Sequence, residues 1–305
     1  MRARRPVPGP PAARSGPPAA HRGGALLSAK YAAYRTAQWL SQRLPSPAAF
    51  GCAERVADLW IRGARRERAA IRANLALALE AAAPEATLVR EVFRNFGRYL
   101  VEFFTIHQTP KPAVSVEGYD HLLNARRRGS GAVLLTGHLG NWEVGAVLLR
   151  RMGLPVAVIA LPHDDAGTNR LFNRQRHRCG LEVIPVGEDA AQRSLQRLRE
   201  GCLLGVLGDR EFGGHGVPVR IFRRELLLPS GPAILSLRAR VPVIPTFLIR
   251  EGPWRFRLCL EPAIQPDGQE GAALVPRLTQ RYAQVLERYV RRTPTQWLLF
   301  EPAMG

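Results

Sequence analysis

The sequence has few lysines, few acidic residues and no closely spaced cysteines. Against 44 basic residues it has 25 acidic ones, and only two of the basic residues are lysines. Its four cysteines form no C-x-x-C pair, which argues against a zinc ribbon or a dithiol redox motif and favours a reducing compartment. We therefore expect no cofactor or metal bound through cysteine.

Long apolar runs are also absent. No uncharged apolar run reaches the roughly 18 to 20 residues that a membrane-spanning helix needs. The N-terminus is basic, but prolines and glycines stand where a signal peptide has its apolar core. If the protein meets a membrane, we predict that it lies on the surface.

The excess of arginine gives a net charge of +19. Either an arginine-rich composition or an anionic partner accounts for this charge. The partner would be nucleic acid or the phosphate-bearing surface of a membrane. Charge alone does not distinguish between them, and we find no nucleic-acid-binding motif with interleaved aromatic residues.

The chain divides into three predicted regions. Residues 1–24 are rich in Pro, Gly, Ala and Arg and predict a disordered basic tail. Residues 25–110 are predicted to be helical, and the stretch 25–44 interleaves aromatic residues with basic ones. That stretch is either a helix at a membrane interface or a helix packed on its own domain. Residues 111–305 form the predicted core domain.

The core domain alternates short apolar strands with helical stretches. The strands include "GAVLLT", "LPVAVIAL", "LEVIPV", "GCLLGVLGD" and "VPVIPTFLIR". This alternation predicts an α/β fold whose sheet is at least partly parallel.

One motif combines ionisable residues with glycines at the end of a predicted strand. "TGHLGNWEVGA" places His138 where open α/β sheets usually bind ligands, and Glu143 in the first turn of the next helix. A carboxylate that reached the imidazole would help it take a proton from a hydroxyl. On spacing alone, a helix-capping histidine with a solvated glutamate is an equally open reading.

Other kinds of site lack their motifs. The chain has no H-E-x-x-H metal motif, no G-x-S-x-G nucleophile elbow and no G-K-S or G-K-T phosphate loop. We therefore predict no metal site.

Several segments, in order, resemble the bacterial lipid A biosynthesis acyltransferases and their relatives that acylate phosphatidylinositol mannosides. They are "RAAIRANLALAL", "VFRNFGRYLVEFF", "VEGYDHLLNARRRGSGAVLLTGHLGNWE", "GDREFGGHGVPVRIF", "RVPVIPTFLIR" and "TPTQWLLF". The resemblance covers about residues 50 to 300. It implies a glycerolipid-acyltransferase-like mixed sheet flanked by helices, with a helical N-terminal portion.

The resemblance also implies roles for particular residues. His138 would be the catalytic base and Glu143 the catalytic carboxylate that orients it. The predicted substrate-binding residues are Asn141, Arg176, Arg178, Asp209 and Arg210. Backbone N–H groups of the Gly140–Asn141 turn, with a nearby arginine, would stabilise the oxyanion. Where the family often has F-F-G, this chain has "IFRREL", which leaves the acceptor side unassigned.

The function implied is transfer of a fatty acyl chain to a hydroxyl of a membrane glycolipid such as a lipid A precursor. The alternative acceptors are phosphatidylinositol mannosides or lysophospholipids. Acyl carrier protein or coenzyme A would bring the chain as a thioester, without a further cofactor. The expected location is the cytoplasmic face of the bacterial inner membrane, peripherally bound. A nucleic-acid-binding protein is the competing class, and it leaves the His138–Glu143 motif unexplained.

Overall fold

The computed structural model describes residues 28–109, 111–127, 129, 131–211, 216–265 and 273–303. The predicted tail, residues 1–24, lies outside the described residues. The N-terminal part is helical, as predicted, and comprises α1 (Ala29–Arg43), α2 (Ser46–Gly63), α3 (Arg65–Leu79) and α4 (Ala86–Thr105). The proposed boundary between a helical region and a core domain at residue 110 stays a prediction.

Helix α4 joins the helical part to the rest of the protein. Its apolar residues recur at helical spacing, and several of them are fully buried. Near its C-terminal end, Tyr99 stacks on Trp142 with ring centroids 4.6 Å apart. One turn further on, Glu102 is fully buried and binds Arg250 of the sheet. α4 therefore forms one wall beside the motif that contains His138.

The core is a seven-stranded mixed sheet in the order β1-β9-β8-β2-β5-β3-β4. β8 and β9 pair antiparallel and the other neighbours pair parallel. The strands are β1 (Ala113–Glu117), β2 (Ala132–Thr136), β3 (Val156–Ala160), β4 (Glu182–Pro185), β5 (Leu203–Leu207), β8 (Val243–Gly252) and β9 (Arg255–Leu260). The predicted α/β class with a mixed sheet is confirmed.

Helices cover both faces of this sheet. They are α5 (Tyr119–Arg127), α6 (Trp142–Arg151), α7 (Ala166–Arg178), α8 (Ala190–Arg199), α9 (Gly231–Ala239) and α10 (Leu274–Arg292). Central strand β2 is apolar because it is buried on both faces, as expected of a covered parallel strand. The apolar stripe of α10, with Tyr282, Leu286 and Val290 buried, packs on one face.

A two-stranded hairpin outside the main sheet was not predicted. β6 (Val217–Ile221) and β7 (Arg224–Leu228) pair antiparallel across a two-residue turn, Phe222–Arg223. "VPVRI" does alternate buried and exposed residues, as a half-buried strand should. The turn has neither Asn nor Gly, however, so the usual signal of a tight hairpin is absent.

One face of helix α1 packs on the rest of the protein. Tyr34 meets the ring of Phe172 edge-on at 5.2 Å, and Tyr31 packs on the same cluster. Of the aromatic residues proposed to face a membrane, Trp39 is the exposed one, at 56%. In the described part of the chain, no helix is long and apolar enough to cross a membrane.

Candidate active site

Two neighbouring parallel strands bring His138 and Asp209 together. β2 pairs with β5 so that Thr136 lies beside Leu207, and each strand is followed after one glycine by one of the two residues. Because parallel strands end at the same edge of a sheet, the two side chains meet there. Gly137 allows the approach, since a Cβ at that position would lie 3.1 Å from the Asp209 carboxylate.

The carboxylate of Asp209 holds His138 at two points. Oδ1 lies 2.9 Å from the imidazole Nδ1, and Oδ2 accepts the backbone N–H of His138 at 2.8 Å. Oδ2 also accepts the indole N–H of Trp297 at 2.9 Å. Burial acts to raise the pKa of Asp209, but the interactions with His138 and Trp297 outweigh burial and hold this pKa below its ordinary value. Asp209 is therefore a buried carboxylate kept ionised by its neighbours.

This arrangement leaves His138 ready to accept a proton. A carboxylate at Nδ1 makes that nitrogen the proton-bearing one, so the lone pair of the neutral ring lies at Nε2. The His138 side chain is 22% exposed, whereas that of Asp209 is fully buried. The ring of Trp142 meets the imidazole edge-on at 5.0 Å and limits its rotation. The geometry is that of a general base with an orienting carboxylate.

The predicted contact between Glu143 and His138 is wrong. Both carboxylate oxygens of Glu143 lie 3.1 Å from Nε of Arg176. Oε1 also accepts a hydrogen bond from Nη2 of that arginine. The cause is helical phase: α6 begins at Trp142, which stands beside the imidazole, and the next side chain is rotated by about 100°. Glu143 therefore faces α7. Its catalytic role stays a prediction, and its contact is with Arg176.

Arg176 is buried and pairs with Glu143, whereas Arg178 is not buried. Burial acts to lower the pKa of Arg176, and the charge of Glu143 outweighs it and raises that pKa. Arg176 also donates to Asn173 at 2.8 Å, so its guanidinium is largely used within the protein. Arg178, two positions along α7, is exposed. Of the two predicted substrate-binding arginines, only Arg176 lies beside the motif.

Asn141 supports the site from within. Its side chain is fully buried, caps α6 by accepting from Val144 N–H at 3.1 Å, and donates to Glu102 at 2.7 Å. Both of its polar atoms have internal partners, and the prediction that Asn141 binds substrate stays a prediction. Asn is a favoured residue at a helix N-terminus, and this preference explains its presence.

The backbone donors predicted for the oxyanion are also occupied. The N–H of Gly140 donates to Gln296 O and that of Asn141 to Leu248 O, both at 2.9 Å. Gly140 has φ +65°, and a side chain there would clash with the carbonyl oxygen of Leu248. The turn is thus fastened to β8 and to the C-terminal segment, and the prediction that these two N–H groups stabilise an oxyanion is wrong.

The C-terminal segment contributes a residue whose role the sequence did not indicate. "TPTQW" suggests core packing, yet Trp297 donates to the carboxylate that holds His138. Its neighbour Leu298 donates its N–H to His138 O at 2.6 Å. The segment lies 159 positions from His138 in the chain, and no local spacing reveals such a contact. A buried tryptophan usually finds a partner for its N–H, which is the one available signal.

Of the two remaining predicted residues, Asp209 belongs to this hydrogen-bond network. Its carboxylate is buried and contacts Nδ1 of His138, and its predicted role in substrate binding stays a prediction. Arg210 forms an ion pair with Glu301. In the described segments, no group of three His, Cys, Asp or Glu residues is placed to hold a metal ion.

A histidine held by a buried carboxylate at the edge of an α/β sheet is an arrangement that suits general-base catalysis. The chain belongs to the bacterial lipid A biosynthesis acyltransferase family, whose profile matches residues 22–304. It is therefore an acyltransferase. Phosphatidylinositol mannoside acyltransferase of Mycobacterium tuberculosis H37Rv is 29% identical over 246 residues, 76% of this chain and 75% of that protein. Its counterpart in Mycolicibacterium smegmatis is 27% identical over 223 residues, 70% and 71% of the two chains.

Proposed function

We propose that this acyltransferase moves a fatty acyl chain from an acyl thioester to a hydroxyl group of a membrane glycolipid. His138 acts as the general base and Asp209 orients it. The observation that carries the proposal is the chain of contacts from Trp297 through Asp209 to Nδ1 of His138. It leaves Nε2 of His138 as the site that accepts a proton.

The proposed reaction needs only this one base. Nε2 takes the proton of the acceptor hydroxyl, and the resulting oxygen nucleophile attacks the thioester carbonyl carbon. The carbonyl re-forms, the C–S bond breaks, and the thiolate takes the proton back from the imidazolium. The products are an ester and a free thiol. Asp209 stabilises the imidazolium between the two proton transfers, and no acyl-enzyme forms.

A mannosylated phosphoinositide is the first candidate acceptor, since the relatives above are named for acylating phosphatidylinositol mannosides. A lipid A precursor is the second, since the family is described by lipid A biosynthesis. Both are anionic glycolipids, which suits a protein of net charge +19.

The test is an acceptor panel. Purified protein would be mixed with an acyl donor and each acceptor in turn, with His138→Ala as the blank, and the products identified by mass spectrometry. A mass gain of one acyl chain on either glycolipid, absent with His138→Ala, supports the proposal. Acylation of neither glycolipid, with a lysophospholipid acylated instead, would refute it.

The donor is proposed to be acyl carrier protein or coenzyme A. Both present a thioester, and the carrier protein is acidic, which suits an arginine-rich surface. Comparing rates with the same acyl chain on each carrier, at low and high salt, identifies the donor. Rates that fall with salt for the carrier protein only would point to the protein donor.

Helix α2 carries the surface that we propose lies on the membrane. Val56, Leu59 and Trp60 are exposed at 55%, 61% and 38%. Exposed arginines accompany them on α2 and at the start of α3, at positions 55, 62, 65 and 66. Apolar side chains flanked by arginines suit an anionic lipid surface. The aromatic contacts Trp60–Phe96–Tyr99–Trp142 connect this surface to the ring beside His138.

Vesicle sedimentation tests the membrane proposal. Val56→Asp/Leu59→Asp should weaken binding to phosphatidylglycerol vesicles by about 10-fold or more, because each buried apolar side chain contributes roughly 1.5–3 kcal/mol. Leu227→Asp, at a residue 48% exposed on the hairpin, is the matched control. Equal binding of the two variants, or binding to random DNA in place of vesicles, would contradict the proposal.

A further inference from the structure

The tip of the β6–β7 hairpin has an unusual backbone. Both residues of its two-residue turn, Phe222 at φ 51° and Arg223 at φ 57°, lie in the left-handed region. Such turns favour Asn-Gly because side chains with a bulky Cβ disfavour this region. A phenylalanine and an arginine persist there only when the surrounding structure holds them.

Contacts with the end of α3 and with α10 hold this tip. Arg223 forms an ion pair with Glu80 at 3.1 Å, and Arg291 binds the same carboxylate. The guanidinium of Arg291 lies 5.7 Å from the centroid of the Phe222 ring and also donates to Ala78 O at 3.1 Å. The hairpin tip is thereby fixed to the end of α3 and to α10.

Phe222, at the tip of the hairpin, is buried against Trp297 of the candidate active site. Phe222 is 2% exposed, and its ring centroid lies 5.6 Å from that of Trp297. Trp297 donates its indole N–H to Oδ2 of Asp209, and Oδ1 of that carboxylate contacts His138 Nδ1. The Phe222 ring thus packs on the indole whose N–H fixes the carboxylate.

We propose that Phe222 is a positioning residue for the His138–Asp209 pair and acts through the indole of Trp297. The inference rests on the proposed role of His138 as the base. Removing the Phe222 ring would leave a space into which the Trp297 indole can tilt. Its N–H would then move away from Oδ2, and the carboxylate would lose one of the donors that fix its orientation.

Indole N–H signals test the geometry without any assay of activity. The chain has five tryptophans, so the full-length protein with ¹⁵N-labelled indoles gives five signals, and Trp297→Phe identifies the one of interest. Phe222→Ala should move that signal upfield and speed its hydrogen exchange by about tenfold or more, with the other four unchanged. Leu227→Ala, at an exposed position of the same hairpin, should change none of them.

Kinetics test the consequence. We expect Phe222→Ala to lower kcat by roughly 10- to 100-fold with KM within about twofold, because a displacement near 1 Å at a catalytic group has an effect of this size. Phe222→Leu, which refills part of the space, should restore most of the parent kcat. In a Trp297→Phe background, Phe222→Ala should produce little further loss, since both changes remove the same donor.

Two results would overturn the proposal. One is an unchanged Trp297 signal in Phe222→Ala; the other is kcat losses that multiply in the double variant. If Phe222→Ala does not fold, Phe222→Leu takes its place, with a smaller shift of the same sign expected. Full activity in His138→Ala would refute the proposed function, whereas the indole signal reports on the packing in either case.

Discussion

Oδ1 of Asp209 lies 2.9 Å from Nδ1 of His138, although the two residues are 71 positions apart in the chain. The glutamate five positions after the histidine binds an arginine of the next helix instead. The orienting carboxylate therefore comes from the neighbouring strand, and the motif's own carboxylate neutralises a buried cation. The two carboxylates should behave differently when each is replaced by its amide.

Asp209→Asn should lower kcat by about 10³- to 10⁴-fold, because an amide at this position favours the wrong tautomer of the imidazole. The measurement is kcat at saturating acceptor, with the melting temperature recorded alongside. Asp58→Asn serves as the control, because Asp58 lies on α2 and pairs with Arg90 and Arg94. An Asp209→Asn enzyme with half of the parent kcat would contradict the assignment.

Glu143→Gln should mainly destabilise the fold. The Glu143 and Arg176 side chains are 4% and 11% exposed, and an uncompensated buried charge costs about 3–5 kcal/mol. Urea unfolding of the purified variant gives this loss, and kcat is compared per folded molecule.

The matched control is Glu143→Gln/Arg176→Met, which removes the unpaired charge and should recover much of the stability. If Glu143→Gln instead keeps the parent stability and loses activity as severely as Asp209→Asn, Glu143 takes part in the chemistry directly.

Arg223→Gly should stabilise the protein by about 1 kcal/mol, because a non-glycine residue in the left-handed region costs roughly 1–2 kcal/mol. The variant loses the Arg223–Glu80 ion pair, which contributes little to stability because the Arg223 side chain is 82% exposed. Arg224→Gly, the next residue and the first of β7, should destabilise, since glycine weakens a strand. Matching urea midpoints for the two variants would show that the turn is not strained.

Stability should fall on acidification partly through His163. Burial, aided by Arg176 and Lys30, lowers the pKa of this histidine beside Phe172. The unfolded value is about 6.5, so the folded state favours the neutral ring. The stability that the neutral His163 ring contributes is complete above pH 6.5 and is lost as the pH falls through the pKa of His163 in the folded state.

The free energy of unfolding of His163→Gln should therefore decline less between pH 7 and pH 5 than that of the parent. His177→Gln, an exposed histidine on α7, should follow the parent curve. Superimposable curves for the parent and His163→Gln would exclude this source of acid sensitivity.

The α/β class and the place of His138 could be predicted because both follow from local patterns. Apolar runs indicate the strands, and a glycine turn after a buried strand marks the edge where ligands bind. The partner of His138 could not be inferred in this way. Successive side chains on a helix are rotated by about 100°, so Glu143 faces α7 instead of His138. Asp209 lies beside His138 because β2 pairs with β5, and no local spacing encodes that pairing.

The contacts of Trp297 and Phe222 were missed for a related reason. Trp297 reaches Asp209 from the far end of the chain, so its role depends on the tertiary fold alone. Phe222 lies in a turn that lacks the glycine of a predictable hairpin. Only the surrounding contacts, from Arg291 and Glu80, explain why the chain turns there.

The most direct test of the central claim is the initial rate of acyl transfer by His138→Ala, measured beside its circular dichroism spectrum and melting temperature. With the only proposed base removed, we expect transfer to fall to the rate of the enzyme-free reaction while the spectrum stays that of the parent. Transfer at the parent rate by a folded His138→Ala protein would contradict the account.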